Sequence, residues 1–157
     1  MTTGVLLVNL GTPASPNNVD VKPYLKEFLS DPNVIHVPKP IWQVILNGFI
    51  LPIRTWRSAT FYREIWLEEG SPLTVYTAKL AENLRNLRPD WLVDYAMTYG
   101  SPTIPDRLQQ LRENGADDII VVPLFPQYST TTTKTIVEKA TAADPNAQII
   151  LSYETHP

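Results

Sequence analysis

Residues 118–122, DIIVV, carry apolar side chains at successive positions instead of alternate ones. A strand of that kind needs cover on both faces, which is the condition of a parallel strand inside an α/β fold. Three other short apolar runs read as strands, residues 4–10 (GVLLVNL), 91–97 and 147–153 (AQIILSY). The stretches between them have helical spacing. Val21, Tyr24, Leu25, Phe28 and Leu29 share one face, with Asn17 or Asn18 able to cap and Pro23 near the first turn. Residues 40–53 are nearly all apolar and predict one helix that stops before Pro52, too short to cross a bilayer. After Ser71 and Pro72, the positions Leu73, Tyr76, Leu80, Leu84 and Leu87 make the strongest periodic stripe in the chain. A further helix, capped by Ser101 and ended by Gly115, turns Ile104, Leu108 and Leu111 inward, and residues 130–142 supply the last helix. The alternation predicts an α/β fold, a three-layer αβα sandwich on a four-stranded parallel sheet, with a helical insertion at residues 19–88 between the first and second strands.

A chain of 157 residues with 43% hydrophobic residues is enough for one domain, residues 1–157, with a substantial core. Its formal charge of -3 provides no polybasic field, so nucleic acid is not an expected partner. The absence of cysteine rules out disulfides and thiolate chemistry and fits a reducing compartment. The start, MTTGVLLVNLG, has no charged leader and its apolar run ends at Asn9, so the expected location is cytoplasmic and any membrane contact peripheral.

Function should sit where the strands end. VNLGTP, MTYGSP and PLFPQYSTTTT follow the first three strands, and in a parallel sheet their loops emerge on one edge, where α/β proteins bind ligands. Tyr128 there suits a planar ligand, and Ser129, Thr130 and Thr131 offer hydroxyls beside a helix N-terminus; equally, Ser129 or Thr130 reads as a plain cap and Tyr128 as filler. Gly11 lacks the companion glycines of a dinucleotide loop, and no GxxxxGK[ST] occurs. Arg54 and Arg57, three apart and near Tyr62 and Ser71, would meet carboxylates or phosphate, or else remain solvated. Trp42, Trp56, Trp66, Phe49 and Phe61 are expected to pack inward. Neither His36 nor His156 has ligand-like spacing with carboxylates, and Glu68 and Glu69 are adjacent, so no catalytic residue and no metal ligand is assigned.

Together GVLLVNLGTPASP, VKPYLKEFLSDPNVI, Ser58 to Trp66, EGSPL, YGSPTI and PLFPQYSTTTT resemble bacterial-type ferrochelatase, the heme-biosynthesis lyase that inserts ferrous iron into protoporphyrin IX to give protoheme. The likeness covers essentially the whole chain in motif order. It implies one lobe of the two-lobed chelatase-like fold, the amino-terminal half of a longer chain whose second, catalytic lobe is absent. It also implies porphyrin contacts at Asn9, Thr12, Arg54, Arg57, Tyr62, Ser71, Tyr128, Ser129, Thr130 and Thr131. The family's catalytic histidine and its glutamate partner belong to the second lobe, so His156 is not that histidine and this chain alone is expected to be inactive. Iron and protoporphyrin IX enter as substrates and no firmly held cofactor is implied. Two departures stand out, Lys22 where arginine is common and Thr98 in place of a frequent arginine. The implied partner is the carboxyl-terminal lobe or a second copy of the chain. The alternatives are a non-catalytic porphyrin-binding module and a half-size homodimeric chelatase that buries residues 40–53 at its dimer contact.

Overall fold

The structure, a computed structural model, describes residues 1–155; His156 lies outside the described residues. Four parallel strands, β1 (Thr3–Gly11), β2 (Trp91–Tyr99), β3 (Asp118–Pro123) and β4 (Gln148–Ile149), form one sheet in the order β2-β1-β3-β4. Thr3 sits between Trp91 and Asp118, and the register runs from there along the sheet. Six α-helices connect the strands. Between β1 and β2 lie α1 (Asn18–Leu29), α2 (Lys39–Ile45), α3 (Leu51–Ile65) and α4 (Pro72–Leu87); α5 (Ile104–Glu113) and α6 (Thr133–Ala143) make the later crossovers. The expected α/β sandwich with a four-stranded parallel sheet is the fold observed.

One sheet face is fully dressed. Leu6, Val8, Ala96, Ile119 and Val121 pack beneath Ile104, Leu108 and Leu111 of α5 and Ile136 and Ala140 of α6, all buried. Fully burying each large aliphatic side chain contributes roughly 1.5–3 kcal/mol, so this face anchors the fold. The opposite face carries Val5, Leu7 and Val93 under Ala81 of α4. A third cluster, Val21, Tyr24, Leu25, Leu29, Leu46, Leu51, Ala59 and Tyr99, joins α1 and α3 above the carboxyl edge of the sheet.

Several local expectations are corrected. Helix α1 begins at Asn18, so Pro23 lies in its second turn, where the ring removes the bond to the Val19 carbonyl; the Asn17 cap position makes no side-chain bond. Residues 40–53 are not one helix ended before Pro52. A π-helical turn, Leu46–Ile50, intervenes, the Leu51 N–H donates to the Leu46 carbonyl, and Pro52 lies in the first turn of α3, which continues from the π-helical turn. Thr103, not Ser101, caps α5, its hydroxyl accepting from the Asp106 N–H at 3.3 Å. Helix α6 starts at Thr133 and β4 has two residues, both shorter than the sequence pattern indicated.

The largest departure concerns α4. Its buried residues are Thr77 and Ala81, while Tyr76, Leu80 and Leu87 of the predicted stripe are exposed. The small side chains let α4 approach β1 and β2 closely, and that contact turns the stripe's outer edge to the side. Among the described residues no helix is long and apolar enough to cross a membrane.

Candidate functional site

The parallel sheet brings the carboxyl ends of its strands to one edge, and the order 2-1-3-4 makes the connections leaving β1 and β3 depart in opposite directions. That divergence opens a crevice at the edge between β1 and β3, the general ligand position of open α/β sheets. The first two loops are stitched together tightly. Gly11 has φ +116°, and a Cβ there would overlap the Tyr99 carbonyl. The Tyr24 hydroxyl donates to the Gly11 carbonyl at 3.1 Å, and the Thr98 hydroxyl donates to that of Asn9 at 3.0 Å.

A cavity of about 380 Å³ lies beside this stitch, walled by Thr12, Pro13, Tyr24, Trp66, Ser71 and Gly100. Thr12 and Ser71 are both buried, and the Thr12 hydroxyl has no hydrogen-bond partner. Asp20, Glu27 and Glu69 also line the cavity, which gives it an acidic rim. Asn9 points to the other side: its amide donates to the Thr77 hydroxyl at 3.0 Å and its oxygen accepts from the Leu10 N–H at 2.8 Å. Tyr62 is half-buried, edge-on to Tyr24 and to Trp66, and burial pushes its phenol pKa up.

The loop between β3 and α6 presents Tyr128 half-exposed. Neither Ser129 nor Thr130 caps α6, because Thr132 occupies the cap position without a side-chain bond. The Ser129 hydroxyl instead lies 2.9 Å from that of Thr131 and accepts from the Thr131 N–H at 3.2 Å, a local turn that leaves the loop's hydroxyls at the surface.

Arg54 and Arg57 are not in the cavity with Ser71. Both are exposed on α3, Arg57 lying over the Phe61 ring at 5.8 Å, and neither forms an ion pair among the described residues. Trp42 and Trp66 are partly buried as expected, with the Trp42 indole N–H donating to the Leu29 carbonyl at 2.6 Å. Phe49, Trp56 and Phe61 do not pack inward; they are 68%, 69% and 54% exposed and make the outer side of α2–α3 an apolar lip. From Pro32 to Arg63 the sequence holds Lys39, Arg54, Arg57 and Arg63 and no acidic residue, so this lip is cationic on an otherwise acidic chain.

Sequence reasoning missed a polar clamp across the same edge. Asp31 accepts from the Tyr99 hydroxyl at 2.6 Å, the Thr135 hydroxyl at 2.8 Å and the Asn33 N–H at 2.7 Å. Asn33 donates to Thr135 at 3.1 Å and to Glu138 at 2.7 Å, and Lys139 donates to the Thr98 carbonyl and to Glu27. Burial opposes ionisation of Asp31, yet the hydrogen bonds and the nearby Lys139 outweigh it and hold the carboxyl below its ordinary range. Tyr99 and Thr135 lie 68 and 104 residues from Asp31 in sequence, and no local spacing signals them.

The family model for ferrochelatase matches residues 2–157. The chain belongs to the ferrochelatase family. It is 52% identical over 147 residues to the coproporphyrin III ferrochelatase of Limosilactobacillus reuteri (strain DSM 20016), covering 94% of this chain and 47% of that one. With the coproporphyrin III ferrochelatase of Lacticaseibacillus casei (strain BL23) it shares 50% over 157 residues, 99% of this chain and 49% of the relative. With that of Lactococcus lactis subsp. cremoris (strain MG1363) it shares 47% over 150 residues, 96% and 47% respectively. The chain therefore spans about half the length of these ferrochelatases. Their named substrate is coproporphyrin III, whereas the motif resemblance pointed to protoporphyrin IX. Among the described residues no group of three or more His, Cys, Asp or Glu is placed to hold a metal ion. In this ferrochelatase chain the ten candidate contacts divide between the acidic cavity (Thr12, Ser71), the ring of Tyr62 behind its Tyr24 and Trp66 walls, the cationic lip (Arg54, Arg57), the α4 side (Asn9) and the β3–α6 loop (Tyr128 to Thr131). They do not meet in a single cavity.

Proposed function

We propose that this chain is the porphyrin-holding lobe of a ferrochelatase that inserts ferrous iron into coproporphyrin III. The observation that carries the reading is the ferrochelatase match over residues 2–157, together with the substrate named for its relatives. The lip adds chemical support. Coproporphyrin III bears twice the carboxylate arms of protoporphyrin IX, and a ring resting on Phe49, Trp56 and Phe61 would bring those arms toward Arg54 and Arg57.

Iron insertion requires both pyrrole N–H protons to leave and the macrocycle to bend so that its nitrogens face the incoming ion. A stiff wall holds the ring and offsets that strain through remote contacts. The Gly11–Tyr99 stitch and the Asp31 clamp supply stiffness at this edge. The proton acceptor and the metal-side groups are assigned to the other half of the length that the relatives have, which leaves this chain a binding role by itself.

Fluorescence titration of the chain with coproporphyrin III and with protoporphyrin IX tests the reading. Saturable binding that favours coproporphyrin III, and that weakens about tenfold in Arg54→Gln/Arg57→Gln through loss of charge-assisted contacts, is expected. A preference for protoporphyrin IX overturns the substrate assignment, and no saturable binding of either overturns the role of the lobe.

A further inference from the structure

The two outer strands of the sheet are very unequal in length. At one side β4 has two residues and gives another chain little to pair with; at the other, β2 runs for nine. A long outer strand presents a row of backbone N–H and C=O groups, and addition of a strand from a second copy is the ordinary hazard. On β2 that row is occupied from within.

The residues concerned are Trp91, Val93, Tyr95 and Met97, alternate positions whose backbone groups find partners away from β1. The Trp91 N–H donates to the Arg88 carbonyl at 3.0 Å and the Met97 N–H to the Pro102 carbonyl at 2.8 Å. The Val93 carbonyl accepts from Arg85 Nε at 2.7 Å, and the Tyr95 N–H donates to Asp94 Oδ1 at 2.8 Å. Asp94 is the centre of the arrangement. Arg85 comes from α4 on one face of the sheet, its Nη2 3.7 Å from Asp94 Oδ1, and Arg107 comes from α5 on the other, its Nη1 3.2 Å from Oδ2. Helices on opposite faces thus reach round the strand and meet at one carboxylate. Arg107 also donates to Gln110 at 2.6 Å, which fixes its head. None of the three charged residues lines the cavity at the carboxyl edge of the sheet. Charges clasped over an outer strand leave an incoming strand neither a free row of partners nor an uncharged approach.

We propose that Asp94, with Arg85 and Arg107, closes the outer edge of β2 against sheet extension, so that removing the clasp turns this edge into a surface that binds a second copy of the chain. Without Arg85 and Asp94 the Val93 carbonyl and the Tyr95 N–H lose their partners, and an added strand can take up both. The occupant follows from symmetry. One edge presented by two copies is self-complementary when the strands run antiparallel about a two-fold axis, β2 against β2. The inference goes beyond the functional reading and needs nothing from it, since it concerns what the strand excludes.

Amide hydrogen exchange at low and high protein concentration tests this in the parent chain and in Arg85→Ala/Asp94→Thr, which removes both side-chain bonds to the strand and leaves Arg107 on Gln110. In the parent, the Tyr95 N–H is expected to exchange at least about tenfold more slowly than in a peptide of residues 91–99, with no dependence on concentration. In the double variant the same N–H is expected to lose that protection when dilute and to regain it when concentrated. Sedimentation of the variant should then show self-association about tenfold stronger than the parent's. Peptide-like exchange in the parent overturns the proposal by itself, whether or not the double variant folds. A folded double variant that associates no more than the parent also overturns it. So does parental protection that grows with concentration, because a second copy then already holds the edge.

Discussion

The Tyr99 hydroxyl donates to Asp31 Oδ2 across 2.6 Å, tying the last residue of β2 to the loop after α1. Thr135 of α6 donates to the same oxygen at 2.8 Å, so one carboxylate joins three elements at the ligand edge. Since Asp31 is held below its ordinary range, its contribution is present above the unfolded carboxyl value, about 3.9, and is lost as pH falls through the lower folded value. Asp31→Asn should cost about 2 kcal/mol at neutral pH, the usual loss for hydrogen bonds to a charged group. Urea unfolding at pH 7 and pH 3 checks this: the variant should lose less stability between the two than the parent does.

The alkaline side has the opposite sign. Burial, first, pushes the phenols of Tyr24 and Tyr99 far above their ordinary value, with neighbouring Tyr62 and Asp31 adding to it. A raised acid in the folded state leaves stability intact below about pH 10 and erodes it above, because only the unfolded chain can ionise these groups there. Absorbance at the phenolate band should show two classes of tyrosine, and Tyr24 and Tyr99 should ionise only together with loss of the far-ultraviolet helical signal.

Gly11 and Gly70 separate backbone strain from close approach. Both have φ in the left-handed half, +116° and +129°, but a Cβ at Gly11 would run into the Tyr99 carbonyl while one at Gly70 meets nothing within 4 Å. Gly70→Ala should cost about 1 kcal/mol, the strain alone. Gly11→Ala should cost on the order of 3 kcal/mol, because β1 and β2 must also separate where their loops are stitched. Thermal or urea denaturation of the two variants gives both numbers; equal costs would show that the stitch is not tight.

The fold was readable because its signals are local. Successive apolar residues at 118–122, the inward triplet Ile104, Leu108 and Leu111, and Gly115 at a helix end each follow from neighbours in the chain. The α4 stripe misled for a physical reason: periodicity reports that a helix has an apolar face, not which partner covers it, and close packing on β1 and β2 went to Thr77 and Ala81. Pro52 misled because a π-helical turn shifts the donor pattern by one residue, and nothing in LNGFI announces it. At the site, a parallel sheet sufficed to put Asn9, Tyr99 and Tyr128 at one edge. It did not reveal that Arg54 and Arg57 face outward on α3, or that Asp31 reaches Thr135, since both depend on how α1 and α3 pack above the sheet.

Tyr128 separates folding from binding most cleanly. Its ring is half-exposed in a loop whose own turn is closed by Ser129 and Thr131, so the fold gains little from it. Tyr128→Ala should therefore change stability by no more than about 0.5 kcal/mol, as for other surface positions. If the ring lies against the macrocycle, the same change should weaken coproporphyrin III binding about tenfold, near the upper range for a lost aromatic contact. Tyr128→Phe should bind like the parent, because stacking needs the ring and not the hydroxyl. Unchanged affinity in Tyr128→Ala would move the ring-contacting surface away from the β3–α6 loop and onto the α2–α3 lip, where Phe49 and Trp56 are the next aromatic side chains open to solvent.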